Sequence, residues 1–273
     1  MSETETPTPA PQRPAPPGVG RAGWLVGRLF LRVTLGRRRT RWLALALLVP
    51  LGAAVWWRLA EGGDGLGFVV ELCVNLLLQV MVLGLALYLG VAAVRDEVED
   101  RTLTYLFCRP LGRWVVVGAK ILAVAVWIAA GLVAALLVVY PIAVSAQGAA
   151  ALLSGLDTLG VAAGALLLAS LTYTSLFALF GVVLRRPMIP ALLVAFGWEG
   201  LAANLPGGFP RVSLMFYVKS LLGLGPEASG LLGMLLPTEA PASPATALAV
   251  LLGATLLFAG AAMIVGARRE FRL

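Results

Sequence analysis

The chain has 273 residues, of which 60% are apolar and only 13% charged, with a mean hydropathy of +0.92. A water-soluble domain carries roughly 25% charged residues, so an ordinary soluble globular fold is excluded. The net charge is +7, but the cations sit at the ends of apolar runs, which points to phospholipid headgroups rather than nucleic acid. The expected fold is an all-α integral membrane protein of about six transmembrane helices, with an N-terminal interfacial helix and an external helical element between spans five and six.

Residues 1–20 are rich in Pro, Thr and Glu and contain no apolar stretch. They read as a disordered cytoplasmic tail rather than a secretory signal. In 21–41, Trp24, Leu25, Leu29, Phe30 and Val33 form one helical face, and Arg21, Arg28 and Arg32 another. That pattern predicts an interfacial amphipathic helix, the alternative being a solvated basic linker.

Residues 42–273 hold six apolar runs, at Trp42–Trp57, Gly67–Val94, Trp114–Val139, Leu159–Leu184, Met188–Ala203 and Ala245–Gly266. Spanning about 30 Å of hydrocarbon takes about 20 helical residues. Pro50 interrupts the first run and is expected to kink it, and the fifth run is short. Of the 21 Lys and Arg, all but Arg58, Arg211 and Lys219 fall on one side, in alternate connections and the two tails, with Lys120 early in the third run. The positive-inside rule makes that side cytoplasmic, with both termini there, and the expected location is the cytoplasmic (inner) membrane. Residues 205–243 form the long external connection. Its stretch Phe209–Leu222 is too apolar for a disordered loop and predicts an outer-leaflet helix or helical hairpin.

Polar residues inside spans are costly and therefore informative. Glu71, Asn75 and Gln79 are spaced four apart, which places them on one α-helical face. They line either a translocation path or a dimer seam, or else make interhelical hydrogen bonds within one subunit. Glu199 in the fifth run is a second candidate, and both carboxylates read as off-centre in the membrane. Thr172, Tyr173, Thr174 and Ser175 are expected to bond to neighbouring backbone, and Gly160-x-x-x-Gly164 permits close helix contact.

The cytoplasmic connection 95–113 carries the functional argument. Asp96, Glu97, Glu99 and Asp100 flank Arg95 and Arg101. An apolar stretch with Leu103, Tyr105, Leu106 and Phe107 follows, and then a turn at Arg109-Pro110-Leu111-Gly112-Arg113. A loop that only fixed topology would not need those apolar residues. Glu97, Thr102, Leu103, Pro110, Arg113 and Lys120 together resemble the cytoplasmic loop of type-2 ABC exporter permeases. Where that family commonly has E-x-G-T-L, this chain has Arg101 in place of the glycine.

The resemblance implies a permease that dimerises, as a homodimer or with a second permease, and binds a separate ATP-binding cassette ATPase. Asp96, Glu97, Glu99, Asp100, Arg101, Thr102, Leu103, Pro110 and Arg113 would form the element that docks into it. No G-x-x-x-x-G-K-[ST] motif and no histidine is present, so no catalysis, cofactor or metal is expected of this chain itself. Cys73 and Cys108 fall near opposite membrane faces, and no disulfide is expected between them. The competing reading is a stand-alone secondary transporter or membrane scaffold. It is disfavoured because such carriers usually need midplane carboxylates and repeated halves. The substrate is not written in the sequence.

Overall fold

The structure is a computed structural model, and it describes residues 20, 25, 27–29, 45–60, 63–99, 113–202, 209–225 and 240–268. The tail 1–20 apart from Gly20, most of the interfacial segment 21–41, the loop from Asp100 to Gly112 and residues 226–239 of the external connection lie outside these.

Helix α1 is Val49–Ala60. Helix α2 runs without a break from Gly65 to Glu99, with Cys73–Val82 wound as a π-helix. Helix α3 is Arg113–Val144, and after a short helix at Ala149–Ser154, α4 is Leu156–Val183. Helix α5 extends from Met188 to Ala202, with a π-helical centre at Leu193–Trp198. A 3-10 turn at Phe209–Val212 leads into α6, Leu214–Leu221, and α7 is Pro244–Arg268. No strand occurs among the described residues.

Among the described residues, four stretches are long and apolar enough to cross a membrane: Gly65–Ala93, Trp114–Val144, Leu156–Val183 and Pro244–Arg268. The first run is broken next to Pro50: Leu45 and Ala46 are helical, Leu47 and Leu48 form a turn, and α1 begins at Val49 with Pro50 at its second position. Proline has no N–H to give to the carbonyl four residues back, that of Ala46, so the helix is interrupted there. The resulting 12-residue helix is about 18 Å long, short of the full hydrocarbon thickness.

Helix α4 is the hub, packed against α2, α3 and α7. It buries Leu166, Tyr173 and Phe177 together with the small residues Ala162, Ala165 and Ala169. Small residues let the backbones approach. A Cβ on Gly90 of α2 would lie 3.2 Å from the Thr174 carbonyl oxygen and from the Phe177 Cβ. Gly160 and Gly164, in contrast, have nothing within 4 Å of where a Cβ would stand. The G-x-x-x-G pattern makes no close contact within the described chain.

Large apolar side chains also cover the outside of the bundle, among them Leu122 and Val126 on α3 and Leu256 and Leu257 on α7. Such a surface is matched to lipid, and the helices satisfy their own backbone groups as a lipid solvent requires. The ends sort into two faces. Gly266 of α7 abuts Val117 of α3, and Gly181 of α4 abuts Val91 of α2, at the end that carries Arg185, Arg186 and Arg268. At the other end a Cβ on Gly65 would overlap the Ala143 carbonyl oxygen, and Gln147 Nε2 donates to the Gly63 carbonyl (3.3 Å) and to Asp64 Oδ1 (3.4 Å). The alternation of arginine-rich and arginine-poor connections is thus carried by an antiparallel bundle.

Of the interfacial segment, residues 25 and 27–29 are helical. Gly27 lies against α3, where a Cβ would be 3.2 Å from Ala123 Cβ. Leu25 and Leu29 are exposed.

Candidate functional site

The most constrained polar site centres on Glu199, which is 3% exposed. Its Oε2 accepts hydrogen bonds from the Ser213 hydroxyl (2.7 Å), the Tyr173 hydroxyl (2.9 Å) and the Met215 N–H (2.9 Å), and its Oε1 accepts from the Leu214 N–H (3.3 Å). Leu214 and Met215 open α6, so the carboxylate caps the N-terminus of that helix. The first N–H groups of a helix have no internal acceptor and carry partial positive charge. Ser213 stands at the N-cap but does not cap with its own side chain; it donates to Glu199 instead. Among the described residues, the buried carboxylate is satisfied by hydroxyl and N–H donors.

The depth of this junction follows from helix rise. Glu199 is eleven residues beyond Met188 and Tyr173 ten before Val183, so both lie about 15 Å from the arginine-rich end. That is about half the hydrocarbon thickness. The other end of α6 is tied to the start of the last span, where the Ala242 N–H donates to Ser220 Oγ at 3.1 Å. Helices α5 and α6 thus act as two half-helices meeting near mid-depth. The fifth run stops short, and the connection folds back onto it beside Glu199.

Glu71, Asn75 and Gln79 form a separate group. Glu71 and Asn75 are exposed and line an open groove of about 570 Å³ between α1 and α2, together with Asp64 and the stacked pair Trp57 and Phe68. Gln79 is only partly exposed, whereas Val80 is 45% exposed. The π-helix explains the difference. Each i→i+5 turn advances the outward face by an extra residue, so the exposed series is 71, 75, 80 and not 71, 75, 79. Glu199 is not on this face.

On the arginine-rich side, Asp96, Glu97 and Glu99 are on the last turns of α2 and Arg113 is the first residue of α3. Asp100, Arg101, Thr102, Leu103 and Pro110 lie outside the described residues. Lys120 is buried at 3% exposure, and its Nζ donates to the Ala93 carbonyl at 3.3 Å, joining the two helices that bracket this loop. Among the expected hydroxyl contacts, Thr172 and Ser175 donate to the carbonyls of Leu168 and Leu171 (2.8 Å each), while Thr174 Oγ1 is buried without a partner among the described residues. No group of three metal-ligating side chains occurs among the described residues.

Tyr173 and Ser213 escaped the sequence reading as partners of Glu199, because pairing across 26 and 14 residues leaves no local mark. One signal was available: a serine just before the apolar stretch Leu214–Tyr217 has the form of a helix N-cap.

An all-helical bundle with lipid-matched walls and a re-folded half-helix is the membrane domain of a multi-pass membrane protein. Residues 73–265 match the family described as ABC-2 family transporter protein, and the chain belongs to that family. Comparison with curated proteins finds no match.

Proposed function

We propose that the chain is the permease subunit of an ABC-type exporter, moving its substrate across the cytoplasmic membrane with ATP hydrolysed by a separate ATPase subunit. The family match over 73–265 carries this reading. In support, the chain has no phosphate-binding loop of its own, and acidic residues end α2 on the arginine-rich side. By the positive-inside rule that side is cytoplasmic, as are both termini. Six crossings result if the segment before and including α1 forms one and α5 with α6 another. The loop Asp96–Arg113 is the docking element for the ATPase, two permease copies assemble around one path, and lipid covers the remaining surface.

Purification of the tagged full chain from membranes tests it. The expected result is an ATPase that co-purifies and is lost when Asp96, Glu97, Glu99 and Asp100 are changed together to Lys. Transport in proteoliposomes driven by an ion gradient, with no ATPase bound, would instead establish the stand-alone carrier.

A further inference from the structure

The groove between α1 and α2 presents a problem that the single chain does not solve. Glu71 is exposed on α2 about 9 Å beyond Gly65, toward the arginine-poor end of a 29-residue apolar stretch. An unpaired carboxylate within an apolar stretch is costly and is expected to find a cationic partner. Asp64, at the mouth of the same groove, already accepts from the Leu66 N–H (3.2 Å) and from Gln147. Glu71 makes no ion pair or hydrogen bond among the described residues.

Among the described residues, the cations at this end of the molecule are Arg58, Arg211 and Lys219. Arg211 and Lys219 flank or lie in α6, which packs on α4 and α7, and both are already engaged. Arg58 is exposed and has no ion pair or hydrogen bond among the described residues. It follows Trp57, which lines the groove, and one residue is about 100° of helical rotation. Arg58 therefore leaves α1 on a different side and does not close its own groove. Its depth suits a pairing with Glu71. Two residues before Ala60, it lies about 3 Å from the helix end, and an arginine stem covers the remaining difference. Beside it, Trp56 and Leu59 are 76% and 81% exposed, supplying the aromatic and apolar anchors typical of interface centres.

We propose that a second copy of this chain covers the groove, its Arg58 pairing with Glu71 and its Trp56 and Leu59 packing over the α1/α2 face. A two-fold arrangement repeats the contact, giving two Arg58–Glu71 pairs and leaving neither charge unpaired. The proposal rests on the paired-permease reading and specifies the face by which the copies meet.

The test uses the full chain in native membranes, with Cys73 and Cys108 changed to Ser. Arg58→Cys with Glu71→Cys is expected to give a cross-linked dimer with a thiol-specific bifunctional reagent about 10 Å long, the reach of an Arg–Glu pair being too great for a direct disulfide, whereas Leu256→Cys with Ile264→Cys on the outer face of α7 gives none. In nanodiscs, Arg58→Glu and Glu71→Arg should each weaken dimerisation by about tenfold or more, and the double swap should restore it. The swap separates a lost contact from a lost fold. Dimers that cross-link only through α7, or that ignore both charge changes, overturn this face and leave the paired permease intact. A monomer by native mass, or a complex with a different permease, overturns the homodimer itself. Single variants that dimerise normally but lose capture of a photoreactive lipid analogue at position 71 would assign the groove to lipid and also overturn the proposal.

Discussion

The Tyr173 hydroxyl donates to Glu199 Oε2 at 2.9 Å, tying the hub helix α4 to the point where two half-helices meet. The same oxygen accepts from Ser213 and Met215, so one carboxylate holds three segments together. In a discontinuous span the N-terminus of a half-helix is a site where negative charge is favoured. Here the chain fills that site itself.

Removal of this carboxylate is therefore expected to be severe. Glu199→Ala leaves two side-chain donors and two N–H groups of α6 unpaired in a dry interior, and should lower stability by about 3–5 kcal/mol. Tyr173→Phe removes one donor and should lower it by about 1 kcal/mol. Thermal unfolding of the detergent-purified chain measures both. Similar losses for the two variants would show that Glu199 does not organise the junction.

The seam between α4 and α7 offers a subtler test. The hydroxyls of Thr172 and Thr255 lie 2.8 Å apart, and each is also 2.8 Å from the carbonyl four residues before it. Each hydroxyl has one proton, so only two of the three contacts are hydrogen bonds at any moment. Thr172→Val or Thr255→Val alone should destabilise by about 0.5–1.5 kcal/mol. The double variant should be less destabilised than the sum of the two, because the contact between the two hydroxyls is lost in each single variant but only once in the double. Strict additivity in a double-mutant cycle would show that the two residues do not interact.

Two glycines that look alike in sequence should respond oppositely. A Cβ on Gly65 would overlap the Ala143 carbonyl oxygen and lie 2.9 Å from its carbon. Gly65→Ala must displace backbone, and about 1–3 kcal/mol of destabilisation is expected. Gly160→Ala meets open space and should be neutral or gain up to about 1 kcal/mol from helix propensity. Comparing the two unfolding temperatures decides the matter; a destabilised Gly160→Ala would mean that its face is packed against something.

Lys120 links the helices on either side of the acidic loop through the Ala93 carbonyl. Lys120→Met keeps most of the apolar stem and removes the charge. The expected result is a loss of about 1–2 kcal/mol in stability, together with weaker retention of the co-purifying ATPase. Unchanged retention with lowered stability would confine Lys120 to a structural role.

The class of protein, the helices and their alternation were legible from residues alone. Apolar runs of membrane length and the segregation of arginine are local or additive properties of a chain in lipid, so counting suffices. Pro50 was legible as the weak point of the first run, and the helical turn at Leu45 and Ala46 is separated from α1 just before it, as a missing N–H requires. The stripe Glu71, Asn75, Gln79 was half legible, since its spacing assumed an α-helix and the π-helix at Cys73–Val82 turns Gln79 inward. Glu199 was recognisable as unusual, but its role was not.

By itself, then, the sequence determined that this chain lives in a membrane, which ends of its helices gather together and that it carries no phosphate-binding loop of its own. Only the tertiary structure decided what the buried carboxylate does. Burial and hydrogen bonding of Glu199 depend on α6 folding back beside α5 and on α4 supplying Tyr173. Those are distances between segments far apart in the chain, and no local pattern encodes them.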